Sequence, residues 1–171
     1  DSPLCLGRLA FILVLNRRHG EAIEAGRQAI ALNPGAYESR VDYGIVLTNA
    51  GDPEGAVREL RLAMALDPFH PPILRAVLGK ALLLAGNAEA ALAELRWATA
   101  LVPDYFYAYP PLAVAAVEAG HPDEARAAVA TLRRRYPALT LANVADNWCM
   151  RNAADVARML AGLRAAGLPE G

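Results

Sequence analysis

The sequence predicts an all-α fold, a solenoid of stacked helix pairs closed by C-terminal capping helices. Three observations carry this. The stretches Leu32-Asn33-Pro34, Leu66-Asp67-Pro68, Leu101-Val102-Pro103 and Arg135-Tyr136-Pro137 place prolines 34, 35 and 34 residues apart. Upstream of them Ala22, Ala56, Ala91 and Ala125 keep the same spacing. Between these marks, apolar residues fall at helical intervals: Leu60 and Ala63 after Ala56, Leu95 and Ala98 after Ala91. A fixed period of this length marks a repeat array, in which one helix pair cannot bury its apolar face alone and stacking neighbours does so.

The residues of each period resemble the tetratricopeptide repeat, a helix–turn–helix unit. The second repeat carries the pattern most fully, with Tyr43-Gly44 and Leu47 in the first helix, Gly51-Asp52 at the turn, and Ala56, Leu60, Ala63 and Pro68 in the second helix and its stop. The third repeat has Leu78-Gly79, Leu82, Gly86-Asn87, Ala91, Leu95, Ala98 and Pro103. Asp52 and Asn87 suit helix caps, and Pro53 suits a first helical turn. In the first and fourth repeats Ala10 and Ala113 replace the helix glycine, and the first turn lacks a Gly-Asp pair. The resemblance implies a right-handed α-solenoid with repeats at about 3–36, 37–70, 72–105 and 106–137. The extra residue of the long interval is placed at Pro71. Residues 138–171 then form the cap, within a single structural domain.

The fourth repeat departs from the pattern. Pro110-Pro111 stand where its first helix should already be running, so that helix is expected to begin near Tyr109 after a longer connection over 104–109. Tyr105, Phe106 and Tyr107 in that connection either fill the space left by a short helix or form an aromatic lip on a groove. Beyond it, Leu139, Leu141 and Val144 predict a short helix ending near Trp148. Asn152 with Asp155 predicts the start of a last helix, carrying Val156, Met159, Leu160 and Leu163 and stopped by Gly167 and Pro169. Arg151, Arg158 and Arg164 are expected on the polar outer face of this cap. The residues from Pro71-Pro72 through Tyr105, and the ending over 160–170, resemble the C-terminal arrays of bacterial regulators with an N-terminal class III adenylate/guanylate cyclase-like or DNA-binding domain. That resemblance implies a regulatory, cytoplasmic fragment of a larger protein, beginning here at Asp1.

Composition limits the function. Lys+Arg is 17 and Asp+Glu 18, a net charge of −1, without the basic excess of a nucleic-acid or membrane-surface protein. Lys80 is the only lysine, and the arginine- and alanine-rich usage suits a GC-rich bacterial genome. At 55 % hydrophobic and 20 % charged, the chain is too apolar for disorder, and no apolar run approaches membrane-spanning length. Cys5 and Cys149 lie far apart in the repeat order and read as small buried thiols. His19, His70 and His121 fall at turns on opposite edges of such an array and do not converge on a metal. The carboxylates Glu21/Glu24, Glu54/Glu59, Glu89/Glu94 and Asp123/Glu124 gather near second-helix starts, where they complement the helix dipole. Arg133-Arg134-Arg135 reads as a solvated helix end. No phosphate loop or nucleophile elbow is present, so neither a cofactor nor an enzymatic activity is expected.

In tetratricopeptide arrays the first helices line a concave groove, and the resemblance places the partner-binding candidates there. They are Arg8, Phe11, Leu15, Val41, Ile45, Asn49, Ile73, Lys80, Leu84, Tyr107 and Val114, with Asp42 and Glu118 on the same helices. The Lys/Asn carboxylate clamp of one family subgroup is missing, because its first-repeat slots hold Gly7 and Phe11. The mainly apolar groove suits an amphipathic helix or an extended peptide. Half of these residues could equally serve packing between helices. Leu62 and Trp97, in equivalent slots of second helices, are a candidate homodimer patch.

Overall fold

Proline ends one helix, and a glycine turn starts the next. The computed structural model describes residues 2–171, and among them the chain forms ten α-helices and no strand. Eight of them are α1 (Pro3–Leu15), α2 (His19–Leu32), α3 (Tyr37–Ala50), α4 (Pro53–Leu66), α5 (Ile73–Leu84), α6 (Ala88–Leu101), α7 (Tyr109–Glu118) and α8 (Pro122–Arg135). A 3-10 turn at Phe106–Ala108 leads into α7, which begins at Tyr109 as the two prolines predict. After α8 come α9 (Leu141–Val144), a second 3-10 turn at Ala145–Asn147 and α10 (Ala153–Ala165). The chain divides into two compact units. One runs to Leu74 and includes Cys149–Asn152; the other holds Arg75–Trp148 and Ala153–Gly171.

In the first unit α1 packs on α2, α3 on α4, and α3 also packs on both α1 and α2. Its core joins Ala10, Leu13, Val14, Ala22, Ala25 and Val46, with Ile23 and Tyr43 against it. Small residues set the approach of paired helices. A Cβ at Gly44 would lie 2.6 Å from Leu60 Cγ, and in the second unit one at Gly79 would lie 2.5 Å from Leu95 Cγ. Both are too short for any side chain. An ion pair accompanies each of these pairings: Arg40 on α3 holds Glu59 on α4, and Arg75 on α5 holds Glu94 on α6 at 2.9 Å. Glu59 and Glu94 therefore cross-link helices and do not belong to the helix-start carboxylates; Glu54 and Glu89 do.

The turns inside the repeats share one backbone shape. Gly51, Gly86 and Gly120 all have positive φ, of 95°, 85° and 79°. The first repeat has no glycine there, and Arg17 occupies the slot with φ 59°, the only non-glycine positive φ among the described residues. Asp52 caps α4 as expected, its Oδ1 accepting the Gly55 N–H at 2.9 Å. Asn87 makes no side-chain cap on α6 and turns its amide toward the Ala85 carbonyl at 3.4 Å.

Candidate functional site

The repeat register brings α1 and α3 residues into matching slots: Arg8 with Asp42, Phe11 with Ile45, Leu15 with Asn49. Phe11, Val41 and Ile45 are half-buried, while Leu15 and Ile73 are exposed. One charged contact joins the two helices, Arg8 Nη1 donating to Asp42 Oδ1 at 2.9 Å. Asp42 is only 2 % exposed, and its Oδ2 has no hydrogen-bond partner. The space beside it exists because residue 7 is glycine, where a Cβ would lie 3.3 Å from Oδ2. Burial pushes the Asp42 carboxyl up to about 6, against the pull of Arg8, and Glu38 adds to the rise. Asn49 is buried. Its side-chain amide donates to the Ile45 carbonyl at 2.8 Å, and its own carbonyl accepts the Arg151 N–H at 2.7 Å.

In the second unit Tyr107 is exposed, Lys80 is half-buried, and Leu84 and Val114 are buried. Of the groove candidates, Asn49, Leu84 and Val114 are buried, as the packing alternative for part of the set has it. For Val114 the cover is the chain's own tail. Gly162 of α10 sits so close that a Cβ there would lie 2.7 Å from Val114 Cγ1. Arg158 of α10 does not face outward as a cap residue. It is half-buried and grips Glu118 of α7 with two bonds, Nε to Oε1 at 2.7 Å and Nη2 to Oε2 at 2.5 Å. A long contact of 3.5 Å runs from its Nη1 to the Leu84 carbonyl. Sequence reasoning missed this pairing, because nothing in the spacing of residues 118 and 158 announces it.

The aromatic connection holds one packed ring and one exposed ring. Phe106 fills space, packed edge-on against Tyr136 at 4.5 Å, whereas Tyr107 stands 67 % exposed. Tyr109 donates its hydroxyl to the Pro103 carbonyl at 2.8 Å. Arg135 pairs with Asp104 and Arg134 donates to Thr131, beside a recess of about 340 Å³ lined also by Phe106 and Tyr109. Leu62 and Trp97 are both substantially exposed, and the Arg75 guanidinium lies 4.2 Å from the Trp97 ring centroid. The cysteines are free; Cys149 is half-buried, but Cys5 is exposed, contrary to the buried-thiol expectation. In the equivalent slot of α3, Ser39 is buried, its Oγ donating to the Pro3 carbonyl at 3.2 Å. Desolvation lowers the His19 imidazole pKa, helped by Arg151 and Arg17. Among the described residues no group of three or more His, Cys, Asp or Glu is placed to hold a metal. No helix there is long and apolar enough to cross a membrane.

Two tetratricopeptide-repeat models match the sequence, one over residues 13–81 and one over 72–97 and 111–133. The chain belongs to the tetratricopeptide-repeat family. Solved structures agree on the fold. PilW, a type IV pilus biogenesis factor, is 24 % identical with a TM-score of 0.71, over 95 % of this chain and 77 % of that one. TTC0263 of Thermus thermophilus, a thermophilic tetratricopeptide-repeat protein, is 22 % identical with a TM-score of 0.66, over 96 % and 82 %. YrrB, described as having an unusual peptide-binding site, is 18 % identical with a TM-score of 0.63, over 94 % and 82 %. No curated protein matches the chain by sequence. The family models cover the repeats and give no support to the resemblance to cyclase-like regulators.

Proposed function

We propose that this chain is a non-catalytic interaction module that docks a protein or peptide on the first-helix face of its repeats. The observation that carries the reading is the α1–α3 face. Phe11, Val41 and Ile45 keep apolar surface in solvent beside exposed Leu15, and Arg8 supplies one cation with 58 % of its side chain exposed. Apolar anchors with an isolated charge suit an amphipathic helix or an extended apolar peptide. The test is selection from a random peptide display library, followed by affinity measurement. Phe11→Ala and Ile45→Ala should each weaken the selected peptide at least tenfold. Unchanged affinity in both variants would place docking elsewhere.

The setting proposed for the module is the regulatory C-terminal part of a bacterial, cytoplasmic regulator of cyclase-like or transcriptional type, supported by the tail resemblance alone. Its balanced charge favours a protein partner over nucleic acid or membrane. Self-association is the second reading, favoured by the exposure of Leu62 at 49 % and Trp97 at 43 %. Light scattering across low micromolar concentrations tests it. A mass that doubles in the native chain and stays monomeric with Leu62→Glu or with Trp97→Ala would place the substituted residue in the contact.

A further inference from the structure

We infer that the outer edge of α1 is a second docking surface, shaped for a helix pair at the open end of another tetratricopeptide-repeat array. Cys5, Leu9 and Ile12 form this edge, and all three are exposed, Leu9 at 46 % and Ile12 at 55 %. The edge is separate from the α1–α3 docking face and does not depend on that reading.

The same three slots are covered in every other repeat. In the second they hold Ser39, Tyr43 and Val46; Ser39 and Val46 are buried and Tyr43 is half-buried. In the third they hold Leu74, Leu78 and Ala81, and in the fourth Ala108, Leu112 and Ala115, none more than 6 % exposed. The second repeat shows what covers such an edge. There α3 packs on both helices of the preceding pair. Val46 joins the core formed by that pair, and Ser39 Oγ donates to the Pro3 carbonyl. Tyr43 lies over Gly26 so closely that a Cβ there would overlap its ring.

The composition of α1 suits the same cover. Arg8 is its one charged residue, and the rest of the helix is apolar. A helix that is apolar on all sides belongs inside a packed structure. A repeat that ends an array needs a polar outer face, and Leu9 and Ile12 give α1 the opposite. The chemistry of the occupant follows from the neighbours of α3. It is two helices side by side, with a small residue opposite Leu9, as Gly26 is opposite Tyr43, and an apolar bed for Ile12. A second copy of this chain does not present that pair. Its last pair already carries α10 on α7, and the tail is fastened where the Leu141 and Ala142 N–H groups donate to the Pro169 and Glu170 carbonyls at 2.8 and 2.9 Å. Its α1 edge is the same bulky ridge, with no small-residue slot to receive Leu9.

The Cys5 thiol sits in the edge and reports its cover. The probe is a helix pair of known sequence, a copy of residues 3–36 joined directly ahead of Pro3 in the full chain. The copy carries Cys5→Ser, so that one edge thiol remains, and Arg8→Ala, so that two arginines do not meet. Cys5 of the chain's own α1 should react with a thiol reagent at least tenfold more slowly in the extended chain than in the native one. Leu9→Glu in that α1 should restore fast labelling, and so should Gly26→Leu in the added pair. Ile12→Glu replaces Leu9→Glu if the latter does not fold. Labelling as fast in the extended chain as in the native one overturns the inference, whether or not the added pair is helical. Protection that survives both Leu9→Glu and Gly26→Leu overturns it too. A native chain of doubled mass with slow Cys5 labelling, both abolished by Leu9→Glu, would give the edge to a second copy instead.

Discussion

Asp42 is the residue whose chemistry most exceeds its sequence context. A carboxyl raised to about 6 in the fold, against an ordinary 3.8, binds its proton more tightly in the folded chain than in the unfolded one. Its contribution to stability is therefore fully present below pH 4 and is lost as pH rises through 6. The shift sets an upper bound of about 3 kcal/mol for that loss. Urea melts at pH 4.5 and 7.5 should show it as a falling stability, and Asp42→Asn should flatten the difference. An unchanged pH slope in the variant would show that Asp42 is not the group responsible. Arg17 is a second residue-scale case. It holds the left-handed backbone that glycine holds in the other three repeats. Arg17→Gly should raise stability by about 1 kcal/mol, read as a higher urea midpoint. A thiol reagent should label exposed Cys5 in the native chain ahead of half-buried Cys149.

At the scale of the element, helix pairing depends on a few small residues and caps. Gly79→Ala gains about 1 kcal/mol of helix propensity. Its Cβ also meets Leu95 Cγ at 2.5 Å, and overpacking of that kind costs about 1–3 kcal/mol. Leu95 is fully buried and has little room to retreat, so net destabilisation is expected in a thermal or urea melt. The two asparagine-type caps should behave differently. Asp52→Ala should cost about 1 kcal/mol, because the Gly55 N–H loses its acceptor, while Asn87→Ala should cost much less. Sequence alone treated Asp52 and Asn87 alike, since both follow a turn glycine. Only the rotamer of each side chain separates a cap from a solvent-facing amide. The start of α7 at Tyr109 was legible, because proline excludes itself from a helix interior wherever it stands.

For the molecule as a whole, the repeat period sets the fold, and the tail covers the Val114–Glu118 stretch of α7. The four periods, the helix-ending prolines and the close-packing glycines could be read from the residues because they are local: each acts on its own turn or on the helix next in sequence. The covering of the first-helix faces could not be read so. Arg8 and Asp42 stand 34 positions apart, in matching slots one period apart, yet the burial of Asp42 depends on the absent side chain of Gly7. Glu118 and Arg158 stand 40 apart, outside any period, and their pairing turned an expected outer face into an inner contact. Periodicity predicts what repeats. α10 does not repeat, and where a non-repeating helix comes to rest is decided by which face offers it the best combination of close approach, apolar cover and a matching charge. That sum runs over contacts distant in sequence, so it exists only in the folded chain.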